Sequence, residues 1–182
     1  MSDLDDFAAV LRRADRIHDT AGLTRAITRI ARDIDAELDG RSCLFVTVMQ
    51  GALVFAGQLA TAVRAPLEFD YVHATRYRGA THGAELEWKH RPERSAAGRI
   101  VLLVDDILDE GHTLAEIRDA YRDGGAAKVL IATLCVKQHD RRIPGLAADF
   151  AGVDVPDRYV FGYGMDYHEQ GRNLPAIYAV DA

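Results

Sequence analysis

The stretch VLLVDDILDEGHTL, residues 101–114, decides which fold the sequence predicts. Its first residues form a continuous apolar run, which is typical of a strand buried on both faces. The run leads directly into three carboxylates, Asp105, Asp106 and Asp109, and a predicted helix follows over 113–122. Open α/β sheets bind their ligands beyond the carboxyl ends of the strands. The stretch therefore predicts a polar binding site at the end of a central strand.

Predicted helices and strands alternate along the chain of 182 residues. Apolar periodicity predicts helices over 3–14, 22–38, 52–63 and 113–122. Apolar runs predict strands over 43–49, 67–74, 99–104, 128–136, 159–162 and 176–180. Because the longer runs are apolar throughout, we expect an α/β fold with an open, mainly parallel sheet flanked by helices. The length suits a single domain over residues 1–182.

The composition argues against several classes of protein. The net charge of −6 is spread along the chain, whereas a protein that binds nucleic acid by neutralising phosphates is usually basic. No apolar run approaches the ~18 residues of a membrane span, and the acidic start MSDLDDFAAV does not resemble a signal peptide. Cys43 and Cys135 lie in apolar runs and are predicted to be buried hydrophobes rather than disulfide partners. We therefore expect a cytoplasmic protein that binds neither nucleic acid nor membrane.

The polar residues after the predicted strand indicate what the site binds. Adjacent carboxylates repel each other, so Asp105 and Asp106 favour a cation such as Mg²⁺ or hydroxyl donors from a ligand. Gly111 permits a turn and Thr113 is a suitable helix N-cap, so backbone N–H groups of this turn can hold a phosphate. A sugar phosphate satisfies both features.

The residues alone leave other classes open. Receiver domains, haloacid-dehalogenase-type phosphatases and some methyltransferases also carry aspartate after a strand, and Asp109 and Thr113 could act only as helix caps. A receiver domain also needs an aspartate at the end of another strand. The predicted strand 43–49 instead ends in the residues MQG, which makes the receiver the weaker alternative.

Four segments resemble motifs of the type I phosphoribosyltransferases, in the order in which that family has them. VLLVDDILDEGHT resembles the motif that binds phosphoribosyl diphosphate (PRPP), and the aspartate at 109 is similar to the 6-oxopurine branch of the family. MQGALVFAGQLA (49–60) resembles the pyrophosphate loop and its helix, VKQHDRR (136–142) resembles the segment of the purine-contacting lysine, and PDRYVFGYGMDYHEQGRNLP (156–175) resembles the base-recognition segment.

The resemblance implies a fold and a reaction. The fold is the type I phosphoribosyltransferase fold, with a small hood from the N- and C-terminal segments and a flexible flap over the polar stretch 78–98. The reaction moves the 5-phosphoribosyl group from PRPP to N9 of hypoxanthine or guanine, and it releases pyrophosphate and a purine nucleoside monophosphate. The transition state has oxocarbenium character, which a closing flap would shield from water. Mg²⁺ is the implied cofactor, and homodimers or homotetramers are the implied assemblies.

The resemblance also implies roles for single residues. Asp109 would be the general base or acid at purine N7, and Lys137 would donate a hydrogen bond to O6. The purine site would comprise Lys137, Tyr159, Val160 and Asp166, with Tyr159 stacked on the base and the Val160 backbone at its far edge. The 5′-phosphate and ribose site would comprise Asp105, Asp106, Asp109, Glu110, Gly111, His112 and Thr113. The pyrophosphate site would comprise Met49, Gln50, Gly51, Arg76, Tyr77, Arg141 and Arg172. Mg²⁺ would be held by Asp105, Asp106 and Asp166.

Three residues depart from the family pattern. Glu110 stands where Ser or Thr is usual in the phosphate turn, and we expect it to point to solvent. Gln50 stands where some members carry Lys, at a step where the family often has a non-proline cis peptide. Arg76 stands where the family has Ser before Tyr77, at the start of the predicted flap.

Each implied role has a simpler alternative. Lys137 could be a solvated lysine, Tyr159 could be a core residue, and Asp166 with Arg172 could form a surface ion pair of little energetic value. The histidines 112, 139 and 168 are scattered, and none is predicted to be catalytic.

A regulator that senses PRPP or nucleotides is the main functional alternative, because some proteins of this fold use the same motif. Such a regulator would be expected to add a basic face or DNA-binding helices, and it would not need Asp109. The sequence therefore favours the enzyme. It does not distinguish among hypoxanthine, guanine and xanthine as the preferred base.

Overall fold

The computed structural model describes residues 3–76 and 86–181 of the chain. Its helices are α1 (Asp3–Arg13), α2 (Thr20–Leu38), α3 (Leu53–Ala62) and α4 (His112–Asp123). Its strands are β1 (Asp15–His18), β2 (Cys43–Met49), β3 (Leu67–Arg76), β4 (Leu86–His90), β5 (Ile100–Leu108), β6 (Lys128–Lys137), β7 (Phe150–Val155), β8 (Val160–Phe161) and β9 (Ile177–Ala179).

Six strands form the main sheet, in the order β4-β3-β2-β5-β6-β7. All neighbours in it are parallel except the edge strand β4, which runs antiparallel to β3. The expected open, mainly parallel α/β sheet is therefore confirmed. Because the central strands run in the same direction, the chain after β2, β5 and β6 emerges at one edge of the sheet, where ligands of such folds bind.

Helices cover both faces of this sheet. Phe45 of β2 and Leu102 of β5 lie in the core that α2 and α3 cover. Their neighbours Leu44 and Leu103 lie in the core on the other face, which α4 covers. Successive side chains of a strand point to opposite faces, so a strand with two covered faces must be apolar throughout.

The hood predicted from the chain termini is a second sheet. Its three strands have the order β1-β9-β8 and are antiparallel, with Asp15 and Val160 both registered against Ala179. Val160 and Ile177 of this sheet are buried in the same core as α2 and α3. The hood is thereby fixed against the main sheet, close to the end of β6.

Several predicted boundaries were wrong. β5 does not end before the carboxylates but continues through Asp105 and Asp106 to Leu108, because it pairs with β6 along that length. Helix α4 begins at His112 with Gly111 as its N-cap and makes no side-chain cap hydrogen bond, so Thr113 is not the cap. The alternative in which Asp109 and Thr113 serve only as caps is thereby removed as well.

Three strands were missed because their sequences lack long apolar runs. They are β1, β4 and β7. β4 lies inside the predicted flap, where Trp88 packs against the core beneath α4 and pairs with Ala74 of β3. Residues 91–98 form a loop, and the remainder of the predicted flap, with Tyr77, lies outside the described residues. Among the described helices, none is both long and apolar enough to cross a membrane.

Candidate active site

Two adjacent carboxylates lie at the end of β5. Asp105 accepts a hydrogen bond from the Asp106 N–H at 3.0 Å, and Asp106 accepts one from the Ile107 N–H at 2.8 Å. Burial raises the pKa of both carboxyls, and the charge of Asp106 raises the pKa of Asp105 further. Two partly buried like charges in contact need a counter-charge, so the pair fits a cation.

No cluster of three or more His, Cys, Asp or Glu side chains suited to a metal occurs within residues 3–76 and 86–181. A site of one or two carboxylates is nevertheless what Mg²⁺ uses, since this ion keeps several waters and takes further oxygens from a phosphorylated substrate. The donor set of Asp105 and Asp106 therefore fits Mg²⁺ bound together with a substrate.

The segment after β2 packs directly against these carboxylates. A Cβ on Gly51 would lie 1.8 Å from Oδ2 of Asp106, so no side chain fits there. A Cβ on Gly164, where φ is +107°, would lie 2.0 Å from the Gly51 carbonyl oxygen. The Met49–Gln50 peptide is cis, as the resemblance predicts. Three segments that are distant in sequence thus meet at this edge of the sheet.

A cavity of about 360 Å³ opens beside this loop. It is lined by Met49, Gln50, Leu53, Val54, Tyr71, His73, Gly164 and Arg172. Burial and the positive charges of Lys89 and Arg172 lower the pKa of His73. The cavity joins three of the predicted pyrophosphate residues. Sequence reasoning missed His73, because its place opposite Met49 in the β2–β3 register is visible only in the structure.

The strongest polar contacts of the site are on Asp109. Lys137, at the end of β6, places its Nζ 2.6 Å from Oδ2, and His139 places its Nε2 2.6 Å from Oδ1. Burial raises the pKa of Asp109, but the hydrogen bonds from Lys137 and His139 outweigh it and the pKa is lowered. The adjacent parallel strands β5 and β6 end side by side, which brings these residues together.

Arg142, in the loop after β6, contacts the backbone of both Asp109 and Lys137. Its guanidinium donates to the Lys137 carbonyl at 2.8 Å and approaches the Asp109 carbonyl at 3.4 Å. Sequence reasoning assigned no role to Arg142 or His139. The only available signal was their position in the VKQHDRR segment, directly after the strand that neighbours β5.

The turn from Asp109 to Thr113 has the shape expected of a phosphate site. Gly111 adopts φ +89°, and a Cβ there would lie 2.3 Å from Leu146. Helix α4 begins directly after this glycine without a side-chain cap, so its first N–H groups are directed at the turn. Glu110 is exposed, as expected, and lies 3.7 Å from both His112 and Arg141.

Residues of the base-recognition segment lie on the hood. The Tyr159 side chain is 53% exposed and its hydroxyl donates to the Asp166 carbonyl at 3.1 Å, so the alternative of a core residue was wrong. Val160 is buried in β8. Asp166 and Arg172 form an ion pair of 2.7 Å between side chains that are each less than a third exposed. Asp166 and Arg172 therefore form an ion pair, as the simpler alternative to their binding roles predicts, but the pair is partly buried and not at the surface.

Arg141 lies at the phosphate turn and not at the loop after β2. Its guanidinium donates two hydrogen bonds to Asp157, at 2.8 and 2.7 Å. The negative charges of Asp157 and the nearby Glu110 attract the Arg141 guanidinium and keep it beside the phosphate turn. The side chain of Arg76 is not among those described, although its backbone ends β3.

A mainly parallel sheet, a glycine turn between a central strand and a helix, and two carboxylates beside that turn are the features expected of a phosphoribosyl transferase. The family model described as the phosphoribosyl transferase domain matches residues 13–169. Hypoxanthine-guanine phosphoribosyltransferase of Streptococcus pneumoniae is 32% identical over 156 residues, which is 85% of this chain and 86% of that protein. The protein of that name from Bacillus subtilis is 32% identical with the same coverage. The chain belongs to the hypoxanthine-guanine phosphoribosyltransferase family.

Solved structures agree with this family in fold. A hypoxanthine-guanine phosphoribosyltransferase from Bacillus anthracis superposes with a TM-score of 0.86 at 27% identity, covering 92% of this chain and 98% of that one. A hypoxanthine phosphoribosyltransferase from Staphylococcus aureus gives a TM-score of 0.86 at 26% identity, covering 92% and 91% of the two chains.

Proposed function

We propose that the chain transfers the 5-phosphoribosyl group from PRPP to N9 of hypoxanthine or guanine, forming the nucleoside 5′-monophosphate and pyrophosphate. The observation that carries this is the contact of Asp109 with Lys137 beside the phosphate turn. A carboxylate that can exchange a proton and an ammonium that can donate to an oxo group lie side by side, where a 6-oxopurine offers N7 and O6 side by side.

The purine is held by the hood and the end of β6. Lys137 donates to O6, and Tyr159, whose side chain is 53% exposed, stacks on the base. The backbone at Val160 reads the edge at C2, where guanine carries an amine and hypoxanthine a hydrogen. Asp166 supports this side of the purine site, because its backbone carbonyl accepts a hydrogen bond from the Tyr159 hydroxyl.

The ribose 5′-phosphate is held by the turn after β5. Backbone N–H groups of residues 110–113 and the Thr113 hydroxyl bind the phosphate at the start of α4. Asp105 and Asp106 accept hydrogen bonds from the 2′- and 3′-hydroxyls of the ribose. Glu110 and His112 line this turn from the solvent side.

Pyrophosphate occupies the cavity beside the loop Met49–Gln50–Gly51, where Arg172 supplies positive charge. Arg76 and Tyr77 are assigned to the same site by the resemblance. Arg141, which Asp157 holds at the phosphate turn, would add positive charge at that turn instead. Asp105 and Asp106 would hold one Mg²⁺ and Asp166 a second, and these ions would neutralise the oxygens of PRPP and pyrophosphate.

The test is a spectrophotometric assay with PRPP, Mg²⁺ and hypoxanthine, guanine, xanthine or adenine. We expect turnover of hypoxanthine and guanine and rejection of adenine by roughly 10⁴-fold, because adenine presents a donor to the Lys137 donor. Lys137→Gln should lower the preference for hypoxanthine over adenine by roughly 100-fold, since an amide can accept from the adenine amine as well as donate.

Lys128→Gln is the matched control, because Lys128 begins β6 and pairs with Glu37 at 2.6 Å, at the other end of the strand from Lys137. Turnover of adenine by the unaltered protein at the rate of hypoxanthine would contradict the proposal. Binding of PRPP without turnover of any base would support the sensing regulator instead.

We also infer that the chain assembles as a homodimer or homotetramer through the face of β3. Phe69 and Tyr71 of β3 and Leu53 of α3 are apolar and 56%, 42% and 57% exposed. Phe69→Glu should shift the protein toward monomers in sedimentation velocity, whereas Arg32→Glu, on the exposed face of α2, should not. An unchanged assembly after Phe69→Glu would place the interface elsewhere.

Cys43 and Cys135, both free and buried, fit a reducing cytoplasm.

A further inference from the structure

His139 is the most buried side chain in contact with Asp109. Only 2% of its side chain is exposed, compared with 14% for Lys137 and 40% for Asp109. Its Nε2 lies 2.6 Å from Oδ1 of Asp109. A histidine so placed, outside the residues that the sequence assigned to the site, needs an explanation.

The backbone fixes which nitrogen of His139 carries the proton. The N–H of Arg141 donates to Nδ1 of His139 at 3.0 Å. A backbone N–H can only donate, so Nδ1 is the acceptor and carries no proton in this arrangement. The proton of the neutral ring is therefore on Nε2, and His139 donates to Asp109.

The two oxygens of Asp109 thus have different partners. Oδ2 is held by the long and flexible side chain of Lys137, whereas Oδ1 is held by a short, buried ring that is itself held by the backbone. The proposed reaction requires Lys137 to bond to O6 of the purine. Where Nζ turns away from Oδ2 to make that bond, Oδ2 loses its donor and Oδ1 does not.

We propose that His139 is a positioning residue that keeps Oδ1 of Asp109 anchored when Lys137 turns to the purine, so that Oδ2 is the oxygen that exchanges the proton with N7. The proton moves from N7 to Oδ2: the N7–H bond breaks, the O–H bond forms, and the electron pair stays in the purine ring. The inference rests on the proposed function and adds to it which oxygen reacts and what orients it.

The test compares His139→Ala with His139→Gln. Alanine removes the donor, so kcat should fall about tenfold while KM for PRPP stays unchanged, because the phosphate and ribose contacts are not altered. Glutamine places an amide N–H near the position of Nε2 and should restore most of the lost kcat. His18→Ala is the matched control, since His18 of the hood strand β1 makes a similar Nε2 contact of 2.7 Å, to the Asp154 carbonyl of β7.

The pH profile separates positioning from general damage to the fold. Loss of a hydrogen bond to the charged carboxylate raises its pKa, so the acidic limb of kcat/KM should move to higher pH in His139→Ala and return in His139→Gln. The other charged groups around Asp109 and His139 are Lys137, Arg141, Arg142, Glu110 and Asp157. All of them are retained in both variants.

Wild-type kcat and an unshifted acidic limb in His139→Ala would overturn the inference. A loss that glutamine does not restore would also overturn it, because burial alone would then explain the histidine. Failure of the proposed function is distinguishable, since it would appear as no turnover of any base by the unaltered protein.

Discussion

Asp109→Asn is expected to lower kcat for hypoxanthine by about 10²–10⁴-fold, the range that a general acid or base contributes. The amide has the shape of the carboxylate but cannot take the proton from N7. Its oxygen can still accept from His139, whereas its NH2 group cannot accept from Lys137, so the side chain keeps one of its two anchors. The substitution therefore removes the proton transfer and leaves the phosphate turn and the ribose carboxylates in place.

Single-turnover measurement with saturating PRPP is the suitable readout, because it separates the chemical step from release of the nucleotide. Asp119→Asn is the control, since Asp119 lies on α4 and pairs with Arg118 and Arg122 away from the site. Unaltered PRPP binding with a large loss of kcat is the expected combination. A chemical step slowed less than about threefold would mean that the proton leaves N7 by another route.

The sequence allowed the centre of the fold to be predicted because that part is specified locally. β2, β5 and β6 are covered on both faces, so every residue of the run is apolar and the strand can be recognised without its neighbours. β1 is different, because it pairs with β9 across most of the chain and is only four residues long. Its sequence DRIH has no apolar run that would distinguish a strand from a loop.

The end of β5 shows why boundaries near a site are hard to predict. Two consecutive aspartates rarely occur inside a strand, and the sequence therefore suggested that the strand stops before them. The strand continues because Asp105 registers against Thr133 of β6 and Asp106 fits the space left by Gly51. Both reasons lie in segments distant in sequence.

The candidate site was predicted to the extent that it resides in motifs. Asp109 and Lys137 belong to two recognisable segments, and the structure brings them into contact. His139 carries no such signal, because its importance comes from a backbone N–H that fixes its ring and from its distance to Asp109. Such a role depends on geometry and cannot be read from residue types alone.

Asp105→Asn is expected to raise the melting temperature and to reduce activity at the same time. Burial and the adjacent Asp106 charge raise the pKa of Asp105 above its value in the unfolded chain, which is about 3.9. Its contribution to stability is therefore present below that pH and is lost as the pH rises through the folded-state pKa. Asparagine does not titrate, so the variant should gain most at neutral and alkaline pH and little at acid pH.

Thermal unfolding at several pH values, in EDTA and then in Mg²⁺, tests this directly. The variant should melt a few °C above the unaltered protein at pH 8 in EDTA. For a chain of this length, each kcal/mol gained in the free energy of unfolding raises the melting temperature by about 2–4 °C. The difference should shrink toward pH 4 and also when Mg²⁺ is added, because a cation relieves the same repulsion. Asp119→Asn, again the control, should show neither trend.

Activity should move in the opposite direction, with kcat/KM for PRPP reduced by roughly 10–100-fold, the value of a hydrogen bond to a charged group. A melting temperature that falls at pH 8 would mean that the two carboxylates are not held against repulsion, and the argument for a cation between them would fail. If both effects appear, the destabilising pair at the end of β5 is retained because the substrate and its metal ion need it.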